Sequence, residues 1–391
     1  MRKGIAHVFL IILALALTVA IGFVGYRVLK ANGYFRQVAP EGVDTNQVLS
    51  IPSEVLANSF GWLTGEPGSE GEIKKFGGAW SRPHPGPFLW DSMQASEGDE
   101  IDFSNTDKVV KQNQKAGLAT LATLWPFAEW DQEGLSKCEV SEDDEFLPRG
   151  GVFEGDMPYL PKHRCSPQNL DAYGDWLSSL IERYDGDGKG DMPGLEIPIR
   201  YWEVLNEPDL DVPPGEVATL DFYKEGASEY AELLITSYQI IKQADENAQV
   251  LIAGAAGGSQ DFLDFYRDVF KNNKARQSFD IANVHCISND QYSSFNAVPY
   301  KKMLREFNID KPFWITEAEA IISEDVDINA TQTALSTKAD LKAGAEKIFY
   351  TRYNFEREGP GGGFLPPNVV VPETITVQGD NPTEAYQQIT E

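Results

Sequence analysis

The segment YWEVLNEPDL, residues 201–210, begins as a strand and ends on reactive side chains. Tyr201, Trp202, Val204 and Leu205 are aromatic, branched or apolar residues that suit a pleated, half-buried backbone. Asn206 and Glu207 follow, and Pro208 cannot continue a sheet ladder, so the strand stops there. An amide and a carboxyl group are thus delivered to the tip of a buried strand.

Seven further short apolar runs flank this one, at 54–65, 74–82, 117–127, 248–256, 279–288, 311–319 and 346–355. Between them lie segments with apolar residues three and four apart, the helical period. They include NLDAYGDWLSSLIERY (169–184), EYAELLITSYQIIKQA (229–244), AVPYKKMLREFNI (297–309) and TALSTKADLKAGAEK (333–347). Alternating strands and helices predict a parallel sheet, either a closed barrel or a doubly wound open sheet. Eight such units favour an α/β (β/α)8 TIM barrel over residues 55–391.

The chain of 391 residues carries a formal charge of -27, which argues against nucleic acid or an anionic membrane surface as partner. A neutral substrate such as a sugar fits that surface better. At the start, Arg2 and Lys3 precede an apolar run from Ile5 to Tyr26, longer than the roughly 18–20 residues that cross a bilayer. The expectation is an N-terminal transmembrane helix at 1–30 and a linker at 31–54, with the globular domain outside. A cleaved signal ending near Thr18-Val19-Ala20, and hence a secreted protein, is the alternative.

Two insertions break the βα rhythm, at 129–167 after the third strand and at 356–368 after the eighth. Cys138 and Cys165 bracket most of the first, and an exported chain can bridge them. Cys286, on an apolar strand, reads as a packed thiol. Asp185, Asp187 and Asp191 in YDGDGKGDMPGLE (184–196) supply oxygen ligands of the kind calcium takes, although Lys189 falls where a calcium loop would place a ligand. An acidic turn is the other reading of that loop.

In a barrel, catalytic groups sit at the C-terminal ends of strands. Those ends carry Arg82, Trp125, Asn206 with Glu207, His285, Glu317, and Tyr350 or Tyr353. Two carboxylates, a cation, a histidine and aromatics at one mouth are the equipment for cleaving a glycosidic bond. Glu319 competes with Glu317 for the second role, and Glu203 inside the fourth strand reads as a buried, paired structural carboxylate.

Together VLNEP and FWITE, about 110 residues apart, resemble the retaining glycoside hydrolases of clan A. GAWSRPHPGPF (78–88) is similar to the arginine segment of that clan, and NPTEAYQQI (381–389) to a closing helix. The resemblance implies Glu207 as acid/base, Glu317 as nucleophile, Asn206 on the sugar 2-hydroxyl and Arg82 paired with the nucleophile. It implies His285 or Tyr292 as hydrogen-bonding groups, and Trp125, Trp130 and Tyr353 as stacking platforms for a carbohydrate substrate. It implies no redox or organic cofactor. A barrel that binds glycans without hydrolysing them, or a transglycosylase using the same pair, are the alternatives.

Overall fold

A computed structural model describes residues 48–64, 73–74, 77–144, 147, 159–212, 220–288, 296–320 and 326–351. The expected transmembrane segment, the 356–368 insertion and the closing 381–389 segment lie outside these residues. Among the described residues no helix is long and apolar enough to cross a membrane.

Eight parallel strands make the frame: β1 (Phe60–Thr64), β2 (Trp80–Pro83), β3 (Ala119–Leu124), β4 (Tyr201–Val204), β7 (Gln249–Ile252), β8 (Ala282–Ser288), β9 (Phe313–Ala320) and β10 (Ala345–Tyr350). They are hydrogen-bonded in the order β7-β4-β3-β2-β1-β10-β9-β8. The two edges meet through parallel bridges, Leu251 with Ile281 and Ala255 with Val284, which closes the barrel expected from the sequence. One feature was not anticipated. A short antiparallel hairpin, β5 (Asp211–Val212) with β6 (Leu220–Asp221), stands beyond the tip of β4.

The helices are α1 (Ser53–Ala57), α2 (Trp90–Met93), α3 (Ser104–Lys115), α4 (Glu129–Gln132), α5 (Leu170–Tyr184), α6 (Ala227–Ala244), α7 (Gln260–Lys271), α8 (Asn273–Gln277), α9 (Ala297–Glu306) and α10 (Val326–Ala343). α5 shows why they form. Asn169 caps it by accepting from the Ala172 amide, and Tyr173, Trp176, Leu177, Leu180, Ile181 and Tyr184 bury one face. Residues 48–54, assigned to the linker by sequence, instead belong to the barrel. Leu49 donates from its amide to Gly186 at 2.8 Å, and Ile51 and Val55 pack in the lumen cluster beside Trp80 and Trp314. They are apolar residues with a buried surface to fill, which a linker lacks.

The lumen is layered with a period of two residues, as inward-facing strand positions require. Trp80, Leu121, Tyr201, Ile281 and Trp314 form an apolar floor, in which the Trp80 ring lies 5.1 Å from Tyr201 and 5.6 Å from Trp314. Two residues further along each strand stand Arg82, Thr123, Glu203, Asn283 and Thr316, all fully buried. Strand alternation therefore stacks a polar layer on the apolar one, directly under the C-terminal mouth.

Candidate active site

Glu203 is the hub of the polar layer. Its Oε2 accepts from Arg82 Nε at 2.8 Å and Thr123 Oγ1 at 2.6 Å. Its Oε1 accepts from Asn283 Nδ2 at 2.5 Å and Thr316 Oγ1 at 2.9 Å. The sequence reading of Glu203 as a buried, paired carboxylate matches this geometry. A charge in such a place persists only when paired and hydrogen-bonded throughout.

Arg82 links this hub to the mouth. Its Nη1 donates to Glu317 Oε1 at 2.7 Å and its Nη2 to Asn206 Oδ1 at 2.6 Å. One guanidinium thus fixes residues from β2, β4 and β9 against each other. The planar fork of arginine permits this, and the point charge of lysine does not.

The tip of β4 is held in an unusual backbone. Leu205 has φ of 72° and Glu207 of 39°, both in the left-handed region that side chains disfavour. Each such residue costs on the order of 1–3 kcal/mol and persists where the surroundings over-determine it. Here Leu205 is fully buried, Arg82 grips Asn206, and the Glu207 carbonyl accepts from the Leu210 amide at 3.0 Å.

Glu207 Oε1 lies 2.5 Å from His285 Nδ1, which is itself 3.8 Å from Glu317 Oε2. One carboxylate oxygen from Glu207, one from Glu317 and a His285 nitrogen all lie within 4.8 Å of one another. Burial pushes the Glu317 carboxyl above its ordinary value; His285 and Arg82 oppose the rise and Glu207 adds to it. Burial alone would lower His285, but Glu317 and Glu207 carry it above its usual range. Glu319 stands apart from this group, half-buried, accepting from Thr351 Oγ1 at 2.5 Å.

His84 is a site residue that the sequence reading missed. Its Nδ1 lies 3.4 Å from Arg82 Nη1 and 3.8 Å from Glu317 Oε1. Burial, followed by the charges of Arg82 and His285, pushes it well below its ordinary value. The signal was present in Arg-Pro-His, since residues two apart on an extended backbone share a face.

The aromatic expectations divide. Trp125 is fully buried, its ring 5.9 Å from His84 and 5.6 Å from Phe222, with its indole nitrogen bonded to the Pro85 carbonyl. This packs Trp125 between His84 and Phe222. Trp130 is half-buried; it donates to the Gln94 carbonyl at 2.8 Å and lines a cleft of about 600 Å³ with Glu97, Asp131 and Asn169. Tyr292 and Tyr353 lie outside the described residues. Tyr350 is buried, its hydroxyl 2.9 Å from Thr337 Oγ1 on α10.

The described part of the first insertion forms a wall against β6. Cys138 and Cys165 form a disulfide. Gln132 bonds the Cys165 carbonyl and amide at 2.7 and 2.8 Å, and buried Arg164 pairs with Asp144 at 2.8 Å and with the Asp221 carbonyl of β6. Away from this wall, Asp185, Asp187 and Asp191 bring one oxygen each to within 4.8 Å of one another. Burial raises Asp185 to about 8, and the neighbouring Asp187 charge adds to that rise. Carboxylate oxygens are donors of the kind that hard cations take.

No protein-family model and no curated protein matches the sequence. Solved structures do match in fold. A family 39 glycoside hydrolase from the gut symbiont Bacteroides cellulosilyticus WH2 aligns with a TM-score of 0.51 at 13% identity, over 80% of this chain and 60% of that one. A glucosidase from Croceicoccus marinus gives 0.50 at 15%, over 79% and 62%. The endo-1,4-beta-mannanase of Rhizomucor miehei gives 0.51 at 13%, over 85% and 95%. The chain spans about three fifths of the length of the first two. At these identities the likeness is one of fold: this chain has the barrel that those glycoside hydrolases share.

Proposed function

We propose that this chain is a retaining glycoside hydrolase acting on a β-linked carbohydrate, with Glu207 as acid/base and Glu317 as nucleophile. The observation that carries the reading is the approach of Glu207 and Glu317 oxygens to within 4.8 Å. Retaining enzymes hold their carboxyl groups about 5–5.5 Å apart, whereas inverting ones need about 6.5–9.5 Å to admit a water. The pair here sits on the near side of that divide.

In the first step Glu317 Oε attacks the anomeric carbon while Glu207 gives its proton to the departing glycosidic oxygen. The carbon–oxygen bond breaks, an alcohol leaves, and a glycosyl ester forms on Glu317. In the second step the Glu207 carboxylate takes a proton from water, whose oxygen attacks the same carbon. The ester bond breaks, restoring Glu317 as carboxylate and Glu207 as acid. Arg82 holds Glu317 in position and stabilises its charge. Because the Asn206 oxygen is taken by Arg82, its amide nitrogen is the group left to donate to a sugar hydroxyl.

Export agrees with the disulfide, since such bonds persist in oxidising compartments. We place the catalytic barrel outside the cell, tethered by residues 1–30 or released if they are cleaved. Calcium at Asp185, Asp187 and Asp191 is assigned a structural role only.

The test is hydrolysis of a panel of aryl β-glycosides by the full chain, with the anomer first released read by proton NMR. A β-anomer as first product, lost in Glu317→Gln and Glu207→Gln, supports the reading. An α-anomer means inversion, and unchanged turnover in either variant removes the assignment.

A further inference from the structure

His285 Nε2 lies 2.9 Å from Thr316 Oγ1. That hydroxyl also lies 2.9 Å from Glu203 Oε1 and 2.9 Å from Asn283 Oδ1. A carboxylate oxygen only accepts. The Asn283 oxygen is equally committed, because its amide nitrogen is spent on Glu203 at 2.5 Å. The single Thr316 proton therefore goes to one of these two oxygens, whichever it is. Were it turned to His285 instead, the hydroxyl would face two acceptors with no proton between them. His285 Nε2 must be the donor, and the ring's other nitrogen faces Glu207.

The ring has no freedom to escape this arrangement. It lies flat on the backbone after β7, where a Cβ built on Gly254 would stand 2.1 Å from Nε2 and 2.4 Å from Cδ2. Only glycine permits so close an approach.

We propose that Thr316, backed by Glu203, holds His285 with Nε2 protonated, so that Nδ1 exchanges a proton with Glu207 Oε1 across their 2.5 Å contact. The inference rests on the reading of Glu207 as acid/base and makes Thr316 and Glu203 positioning residues for it. The exchange is balanced: Glu207 loses a proton and becomes carboxylate, and Nδ1 gains it and becomes imidazolium. Net charge is unchanged. The opposite tautomer would point an N–H at a protonated acid and block this transfer. The charged or titratable groups acting on the ring are Glu207 and Asp209 after β4, Glu317 on β9, Arg82 on β2 and His84 just past it, with Glu203 behind Thr316.

The first test needs no substrate. In protein labelled with ¹⁵N-histidine, with the ring assigned by its loss in His285→Asn, Nε2 is expected to be protonated and Nδ1 to be the titrating nitrogen. Glu207→Gln should lower the pH at which it titrates, by removing the carboxylate. A neutral ring protonated at Nδ1, or titration indifferent to Glu207→Gln, overturns the proposal.

The second test reads catalysis. Thr316→Val should cut kcat/KM about tenfold or more on aryl glycosides with poor leaving groups, which need protonation in the first step, while sparing kcat/KM on dinitrophenyl glycosides. Thr316→Ser, which keeps the hydroxyl, should restore the rate. Equal losses on both substrates, or no rescue by serine, would mean that Thr316 only fills space. If the wild type cleaves none of these substrates, the hydrolase reading fails, while the tautomer measurement still decides the hydrogen-bond assignment.

Discussion

Arg82 stands 2.7 Å from Glu317 and 2.8 Å from Glu203, so one cation is shared by a carboxylate at the barrel mouth and one in the lumen. Removing it strands two buried charges. Arg82→Met should destabilise the fold by about 3–5 kcal/mol, the usual consequence of breaking a buried pair. In a Glu203→Gln background the loss should be markedly smaller, because one of the stranded charges is gone. Urea unfolding of the four proteins in this cycle measures the difference. Equal losses in both backgrounds would show that Arg82 and Glu203 are not coupled.

Arg82→Lys tests geometry in place of charge. A lysine keeps the positive charge but cannot donate to Glu203, Glu317 and Asn206 at once. Loss of a preorganised donor of this kind costs about 10²–10³ in kcat. Steady-state kinetics on an aryl glycoside is the check, and a lysine variant with near-native kcat would refute the three-way clamp.

The pH dependence follows from two opposing shifts. Glu317 must be ionised to attack, and burial raises its carboxyl, so the acid limb of kcat/KM should lie above about 4.3, the ordinary glutamate value. Activity is lost as pH falls through that raised value. His285 loses its proton at high pH, and Glu317 and Glu207 raise it against its burial, so the alkaline limb should lie above about 6.5. A bell centred between these limbs is expected. Arg82→Met removes a group that lowers Glu317, so it should move the acid limb upward. An acid limb at or below the ordinary glutamate value would contradict the burial argument.

The barrel was legible in the sequence because each strand is a compact apolar run ended by a turn residue, and Asn206-Glu207 and Glu317 sit where two such runs stop. The polar layer was not. Arg82, Glu203, Asn283 and Thr316 come from four separate strands, and only closure of the barrel makes them neighbours. His84 was hidden because it lies one residue past Pro83, where β2 ends. Trp125 is harder to read for a different reason. A tryptophan at a strand end has the same sequence signature whether it faces a cleft or packs inside, and its burial against Phe222 is visible only in the structure.

The calcium reading has its own check. Asp187 already meets Lys189 Nζ at 2.8 Å, and Asp191 accepts from the Gly186 and Gly188 amides at 3.0 and 2.8 Å, so the loop is preshaped with its carboxylates close together. Calcium at about millimolar concentration, the range of extracellular modules, should raise the melting temperature. Asp185→Asn should abolish the rise, and a chelator should reverse it. A melting temperature indifferent to calcium would leave the loop as an acidic turn.

The disulfide joins two points within the first insertion, Cys138 and Cys165. Cys138 and Cys165 are 27 residues apart, and closing a loop of that size in the unfolded chain is worth about 3.5 kcal/mol by chain entropy. Gln132 and Arg164 hold the same segment by hydrogen bonds, so the wall should survive reduction locally while the whole chain loses stability. Cys138→Ala with Cys165→Ala should therefore lower unfolding free energy by about 2–4 kcal/mol and leave kcat within about twofold. Denaturant curves with and without reductant, beside kinetics on the same samples, separate the two effects. A double variant with native stability but collapsed kcat would show instead that the bridge shapes the mouth and adds nothing to the fold, because a loss confined to turnover is a change in site geometry.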